Sequence, residues 1–327
     1  MNAPGSVTGD AVADFFAAGG RHRLWCPALT FYTEDGSLDE EAFARHLDRL
    51  APHVGGILVP GSTGEGWQMS ERESLDVLRL ALQAAPARGI RVLVGLLRPS
   101  AGEIASLARA AADLAGAGSD ILGFTLAAPL AAEPMDEAAL EAAFRPVLET
   151  GRSVFLYQLP QVTGSTIPAS LLERLSERFP NVAGLKDSSG EDALALGGAP
   201  ERLVLLRGAE GDVVPWSLEG GGPYRGFLLS SANVFPAELH AVLADLEAGR
   251  LEEATALSGR VAAAVGDAFA LVAMLPFGNP FTNANKALLH ARFGERGAAR
   301  LHGGRSLPSD VLAVAQQILH RHGFAGA

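Results

Sequence analysis

Only two of the 26 lysine and arginine residues in this 327-residue chain are lysines, Lys186 and Lys286. Arginine stays protonated, whereas a lysine amine becomes a nucleophile once burial lowers its pKa from about 10.4. Lys186 closes the short apolar run Asn181-Val-Ala-Gly-Leu, which reads as a buried strand, and a lysine so placed is a candidate Schiff-base nucleophile. The competing reading is a capping or ion-paired lysine at a strand-to-helix turn, in an Ala- and Arg-rich composition that depletes lysine generally. Tyr157, one of three tyrosines, ends another apolar run in Tyr157-Gln-Leu-Pro160. Beside an amine nucleophile a phenol can carry the protons of carbinolamine formation and dehydration; elsewhere it is a core residue whose hydroxyl finds a partner. A third stretch, Gly61-Ser-Thr-Gly-Glu-Gly66, packs three glycines around short polar side chains, so its backbone N–H groups are free to turn toward an anion such as a carboxylate. Its spacing is neither a dinucleotide fingerprint nor a P-loop, and an ordinary strand-to-helix turn is the alternative. Glu65 reads as structural, through local hydrogen bonds.

Other chemistries find little support. The eight histidines are scattered without ligand spacing, and there is no Gly-x-Ser-x-Gly elbow, so neither a metal nor another cofactor is expected. A net charge of -11 argues against nucleic-acid or anionic-membrane partners and leaves a small molecule as the default. The single cysteine, Cys26, excludes an internal disulfide and suits a reducing compartment. Met1 to Gly20 lacks a basic n-region, and no apolar run approaches the length of a membrane span, so a cytoplasmic location is expected.

Positioning these residues requires a scaffold of strand ends. With 48% hydrophobic residues the chain has ample material for a core. From Leu24, short apolar runs alternate with helix-length amphipathic segments; strands are expected near 24–30, 55–60, 90–95, 120–126, 153–157, 181–185, 202–207 and 226–230. Helix starts are marked by Ser37 and Asp39, by Ser70 and Ser100 three residues ahead of glutamates, and by Pro168. Eight strands, each followed by a helix, predict a parallel (β/α)₈ TIM barrel with a C-terminal helical extension, with a doubly wound open sheet as the alternative. The expected divisions are a peripheral N-terminal extension (1–20), the barrel (21–249) and a C-terminal helical bundle (250–327). In such a barrel the chemistry lies at the C-terminal ends of the strands, where all three stretches fall.

In this order the three stretches resemble the pyruvate-dependent class I aldolases, the superfamily of dihydrodipicolinate synthase and N-acetylneuraminate lyase. Gly61-Ser-Thr-Gly-Glu65 is similar to the carboxylate-binding loop of that family, Tyr157-Gln-Leu-Pro160 to its tyrosine motif, and Gly184-Leu-Lys-Asp-Ser-Ser-Gly190 to its Schiff-base motif. Gly226-Phe-Leu-Leu-Ser-Ser-Ala-Asn-Val-Phe-Pro236 resembles the eighth-strand signature, and Asn279-Pro280 with Lys286 a C-terminal pattern. The resemblance implies that Ser62 and Thr63 hold the carboxylate of a 2-oxo acid. It also implies that Lys186 forms an iminium at the neighbouring carbon, that Tyr157 moves the protons, and that the Leu228 backbone carbonyl lines the pocket. It further implies a homotetramer or homodimer, and a structural or interface role for Lys286.

Departures from the family pattern narrow the function. Leu126-Ala-Ala-Pro-Leu130 stands where relatives carry a tyrosine pair that relays protons across a subunit interface, and Val162 stands where dihydrodipicolinate synthase has an arginine. Arg98 and Arg225 are either recognition residues for an acidic substrate tail or surface arginines. The leading expectation is a Schiff-base lyase or aldolase acting on pyruvate or a longer 2-oxo acid, and not dihydrodipicolinate synthase proper. The alternatives are a 2-oxo-3-deoxy sugar acid dehydratase using the same iminium and a non-catalytic 2-oxo-acid binding protein.

Overall fold

Eight parallel strands close into a barrel in chain order: β1 (Leu24–Pro27), β2 (Gly56–Val59), β3 (Arg91–Leu96), β4 (Ile121–Ala127), β5 (Val154–Gln158), β6 (Val182–Asp187), β7 (Val204–Arg207) and β8 (Gly226–Leu228). Pairing of Leu24 with Phe227 and of Trp25 with Leu228 joins the last strand to the first, which removes the open-sheet alternative. The structure, a computed structural model, describes residues 9–116 and 121–324. Residues 1–8 of the expected extension, and residue 120 of the fourth expected strand, lie outside the described residues.

Helices flank the barrel: α1 (Gly9–Ala17), α2 (Glu40–Leu50), α3 (Glu71–Ala84), α4 (Ala101–Ala115), α5 (Glu137–Leu148), α6 (Pro160–Thr163), α7 (Ala169–Arg178), α8 (Ala193–Leu196) and α9 (Pro236–Glu247). The C-terminal region adds α10 (Leu251–Val272), α11 (Pro280–Phe293) and α12 (Ser309–Arg321). Sequence capping signals act as expected at three starts. Asp39 accepts from Ala42 N, Ser70 and Glu73 form a reciprocal capping box, and Ser100 accepts from Glu103 N, each satisfying N–H groups that the first turn leaves unpaired. Strict alternation fails after β6 and β7. Only the four-residue α8 follows β6, and only a 3₁₀ turn (Val214–Trp216) follows β7, because Gly197-Gly198 with Pro200 and Gly220-Gly-Gly-Pro223 break helical propagation.

The barrel interior is apolar up to its top layer. Trp25, Leu58, Leu93, Phe155, Val204 and Leu206 point inward, and large rings are accommodated by missing side chains beside them. A Cβ on Gly56 would lie 2.2 Å from the Trp25 ring, and one on Gly184 2.5 Å from the Phe155 ring. The bottom is plugged by α1, whose Val12 and Phe16 join this interior cluster, with Phe16 stacked 5.6 Å from Trp25. Burying such a ring stabilises by about 1.5–3 kcal/mol. α1 is thus anchored through Val12 and Phe16, where the sequence reading expected a peripheral extension: the helix is short and alanine-rich, and these two side chains are recognised as core only in contact with the strands. Just beyond α1, buried Arg23 bonds Glu219 (2.7 Å) and Glu247 (3.1 Å), which ties the same end of the barrel to distant segments.

α10 is the one helix among the described residues long and apolar enough to cross a membrane; it packs against α9, α11 and α12.

Candidate active site

Strands β5 and β6 place Tyr157 and Lys186 side by side, since the two residues are register partners at the C-terminal end of the barrel. Both are buried, Lys186 to 3% exposure, and the amine lies 3.4 Å from the centroid of the Tyr157 ring. Lys186 Nζ donates to Ser188 Oγ at 3.1 Å. Burial pulls the Lys186 ammonium below its ordinary 10.5, opposed by the Tyr157 phenol and the carboxylates of Asp187 and Glu210. Desolvation of a charged amine favours the neutral, nucleophilic form.

Across the recess stand Ser62 and Thr63, presented by the loop after β2. That loop is held from behind by the C-terminal region. Asn279 caps α11 through its side-chain oxygen and donates its amide to Ser62 O at 3.1 Å, while Thr282 Oγ1 donates to Thr63 O at 2.8 Å. Trp67 Nε1 donates to Ser62 Oγ at 3.0 Å. Among the described residues no protein acceptor takes the Ser62 and Thr63 N–H groups, so they remain available to a bound anion.

Ser62, Thr63, Tyr157, Lys186 and Leu228 all line this one recess, together with Ser188, Gly208, Ser230 and Phe281. All five residues singled out in the sequence are thus brought together. The recess opens outward, past Ser62, Ser188, Gly208 and Phe281, into a cavity of ≈ 710 Å³.

The other lysine has a different environment. Lys286, fully buried on α11, donates to Glu65 Oε2 at 2.9 Å and to the Arg300 carbonyl, while Glu65 Oε1 accepts from His302 N at 2.8 Å. Burial lowers the Lys286 pKa as well, opposed by Glu65. Glu65 itself adopts a φ of +67°, outside the usual range for a non-glycine residue, and the ion pair holds it there. Neither of the two arginines considered for substrate recognition reaches the cavity. Arg98 donates to the Met69 carbonyl and lies 3.4 Å from Glu103, and Arg225 precedes β8 at the opposite, N-terminal face.

Sequence reasoning missed several groups on the walls. Gly208 follows β7, and a Cβ there would lie 2.1 Å from Ser188 Oγ and 3.2 Å from Lys186 Nζ, so the approach of β7 to the amine requires glycine. Glu210 also follows β7 and accepts from Ser230 Oγ (2.7 Å), Ser231 N (3.0 Å) and Ser231 Oγ (2.6 Å). The strand-end rule that found Lys186 applies equally to β7, but residues 208–210 carry no distinctive composition. Behind the site, Asp192 accepts two bonds from Arg207 (3.0 and 2.9 Å) and one from the Tyr224 hydroxyl, fastening the ends of β6 and β7.

The sequence model of the Dihydrodipicolinate synthetase family matches residues 21–276. The chain belongs to the dihydrodipicolinate synthetase family. Among its relatives, the 4-hydroxy-tetrahydrodipicolinate synthase of Azoarcus sp. (strain BH72) is 32% identical over 70% of this chain and 76% of its own length. 4-Hydroxy-tetrahydrodipicolinate synthase 1 of Streptomyces coelicolor is 30% identical over 82% of this chain and 84% of its own. Proteins of known structure share the fold. YagE from E. coli K12, a prophage protein solved in complex with pyruvate, superposes with a TM-score of 0.79 at 23% identity, covering 94% of this chain and 99% of YagE. A variant of the Sulfolobus solfataricus 2-keto-3-deoxygluconate aldolase in complex with L-2-keto, 3-deoxy-galactonate gives 0.76 at 18% identity over 92% of this chain and 96% of its own. These identities speak for a common barrel and not for a common substrate.

Proposed function

We propose that this dihydrodipicolinate synthetase family member is a class I lyase or aldolase that forms a Schiff base between Lys186 and pyruvate or a longer 2-oxo acid. The observation that carries the reading is the buried Lys186 amine 3.4 Å from the Tyr157 ring, in a recess whose opposite wall is the Ser62–Thr63 loop. In the proposed sequence, the Ser62 and Thr63 N–H groups and hydroxyls take the substrate carboxylate, which brings C2 to the amine. Neutral Lys186 adds to C2, the carbonyl oxygen collects protons by way of the Tyr157 phenol, and water leaves, giving the iminium. In cleavage the C4 hydroxyl of a 4-hydroxy-2-oxo acid gives up its proton, the C3–C4 pair passes to the iminium to leave the pyruvate enamine, and C4 departs as an aldehyde; in condensation, loss of a C3 proton gives the enamine that attacks an aldehyde, whose oxygen takes up a proton. The names of the curated relatives, which are lyases of this kind, support the reaction class. Val162 on the cavity wall, where dihydrodipicolinate synthase has an arginine, supports an activity other than that of the named synthases.

Borohydride reduction in the presence of pyruvate, followed by intact and peptide mass measurement, tests the proposal. A stable adduct on Lys186 is expected in the native protein and none in Lys186→Arg. An unmodified Lys186 across a panel of 2-oxo acids would overturn the covalent mechanism.

A further inference from the structure

The cavity outside the recess receives whatever the substrate carries beyond the iminium carbon, and its walls are apolar. Trp67, Leu130, Val162, Phe269 and Phe281 line it. Phe269 and Phe281 meet edge to face at 5.5 Å, and Leu130 and Val162 remain 43% and 37% exposed at its rim. Exposed aliphatic side chains gathered around a concave surface mark a place where apolar area is to be covered.

Apart from the exposed Gln68, the polar side chains around the cavity are bonded within the protein itself. Ser62 Oγ accepts from Trp67, Ser188 Oγ accepts from Lys186, and the Gln161 amide donates to Ser188 O at 2.8 Å. Asn279 spends its amide and its oxygen on Ser62 O and Thr282 N, and Glu210 is held by Ser230 and Ser231. A polyhydroxylated tail entering here would surrender its water partners and meet few replacements, which is unfavourable for each hydroxyl left unpaired. Charge narrows the choice further. Among the described residues no lysine or arginine lines the outer cavity and its one charged wall residue is Glu210, while the Arg98 guanidinium is turned to Met69 and Glu103. A carboxylate or phosphate on the tail would face like charge without a cation.

Building on the Schiff-base reading above, we infer that the cavity selects an uncharged apolar tail. The substrate class is thus a 4-hydroxy-2-oxo acid bearing an alkyl or aryl group on C4, the adduct of pyruvate with an aliphatic or aromatic aldehyde. Val162 and Leu130 are its specificity-determining rim.

The test titrates the full-length protein with 4-phenyl-2-oxobutanoate, 2-oxoadipate and 2-oxo-3-deoxygluconate, with pyruvate as the tail-less reference. Each is read twice, by the borohydride-trapped mass adduct and by calorimetry. The phenyl acid is expected to half-saturate at a concentration at least about tenfold lower than the diacid or the polyol, the discrimination available to a hydrophobic pocket. Val162→Arg, at the exposed rim where folding is not at stake, is expected to narrow or reverse the preference between the phenyl acid and 2-oxoadipate. Equal or reversed ranking of the three acids in the native protein overturns the inference. Failure to trap any adduct overturns the Schiff-base reading alone, because the calorimetric ranking still decides the nature of the tail.

Discussion

Replacing Lys286 by methionine keeps the length of the side chain and removes its charge, leaving the Glu65 carboxylate 2% exposed with the His302 N–H at 2.8 Å as its remaining donor among the described residues. Breaking a buried pair from one side costs about 3–5 kcal/mol, because the surviving charge is neither solvated nor paired. Lys286→Met is expected to destabilise by that amount in urea unfolding followed by far-UV circular dichroism. The double variant Lys286→Met/Glu65→Gln, which removes both charges, is expected to recover most of the loss. The effect should extend to function, because Glu65 N donates to Ser62 O at 3.1 Å within the loop that carries Ser62 and Thr63. A larger KM for the 2-oxo acid with a smaller change in kcat is therefore expected. If Lys286→Met unfolds within about 1 kcal/mol of the native protein, the pair is not what holds the loop.

Tyr157→Phe removes the proton carrier and keeps the ring beside the amine: ligand affinity measured by calorimetry should persist while turnover falls by about 10²–10⁴-fold. Gly208→Ala forces a Cβ to 2.1 Å from Ser188 Oγ, so Ser188 and Lys186 must shift; the rate of adduct formation should drop by roughly a hundredfold with the circular dichroism spectrum unchanged. Buried His46, whose Nε2 lies 2.9 Å from Asn233 Oδ1, is pushed down by burial from 6.5 to about 4. Because the unfolded chain takes up this proton first, stability should fall as pH drops from 6.5 toward 4, by on the order of 3 kcal/mol from this group. His46→Gln should show a correspondingly shallower loss across that window.

Local sequence carried the barrel and its reactive centre because both are written in short-range pattern. Apolar runs of strand length alternate with capped helices, and Lys186, Tyr157, Ser62 and Thr63 each sit at the end of a strand, where a parallel barrel collects its chemistry. What local pattern did not carry depends on approach between distant segments. Asn279 reaches Ser62 across 217 positions, and Phe281 becomes a wall of the recess only once α11 has docked. Gly208 looks like any turn glycine until the Lys186 amine is placed beside it. Arg98, a free cation on paper, is spent on Met69 and Glu103 through contacts invisible in the linear chain.

The plug at the base of the barrel also bears on how the chain is made. Phe16 settles against Trp25 and Phe155, and Arg23 meets Glu219 and Glu247, which lie 196 and 224 residues further along. Contacts at that separation form late, since the intervening loop must first be ordered. A nascent chain that has emerged only as far as β6 therefore carries an unfinished sheet edge and an Arg23 whose two carboxylate partners are still to come. Such a chain is open to pairing with its neighbours on the polysome, and the base of its barrel is fastened only after the last strand and α9 have emerged.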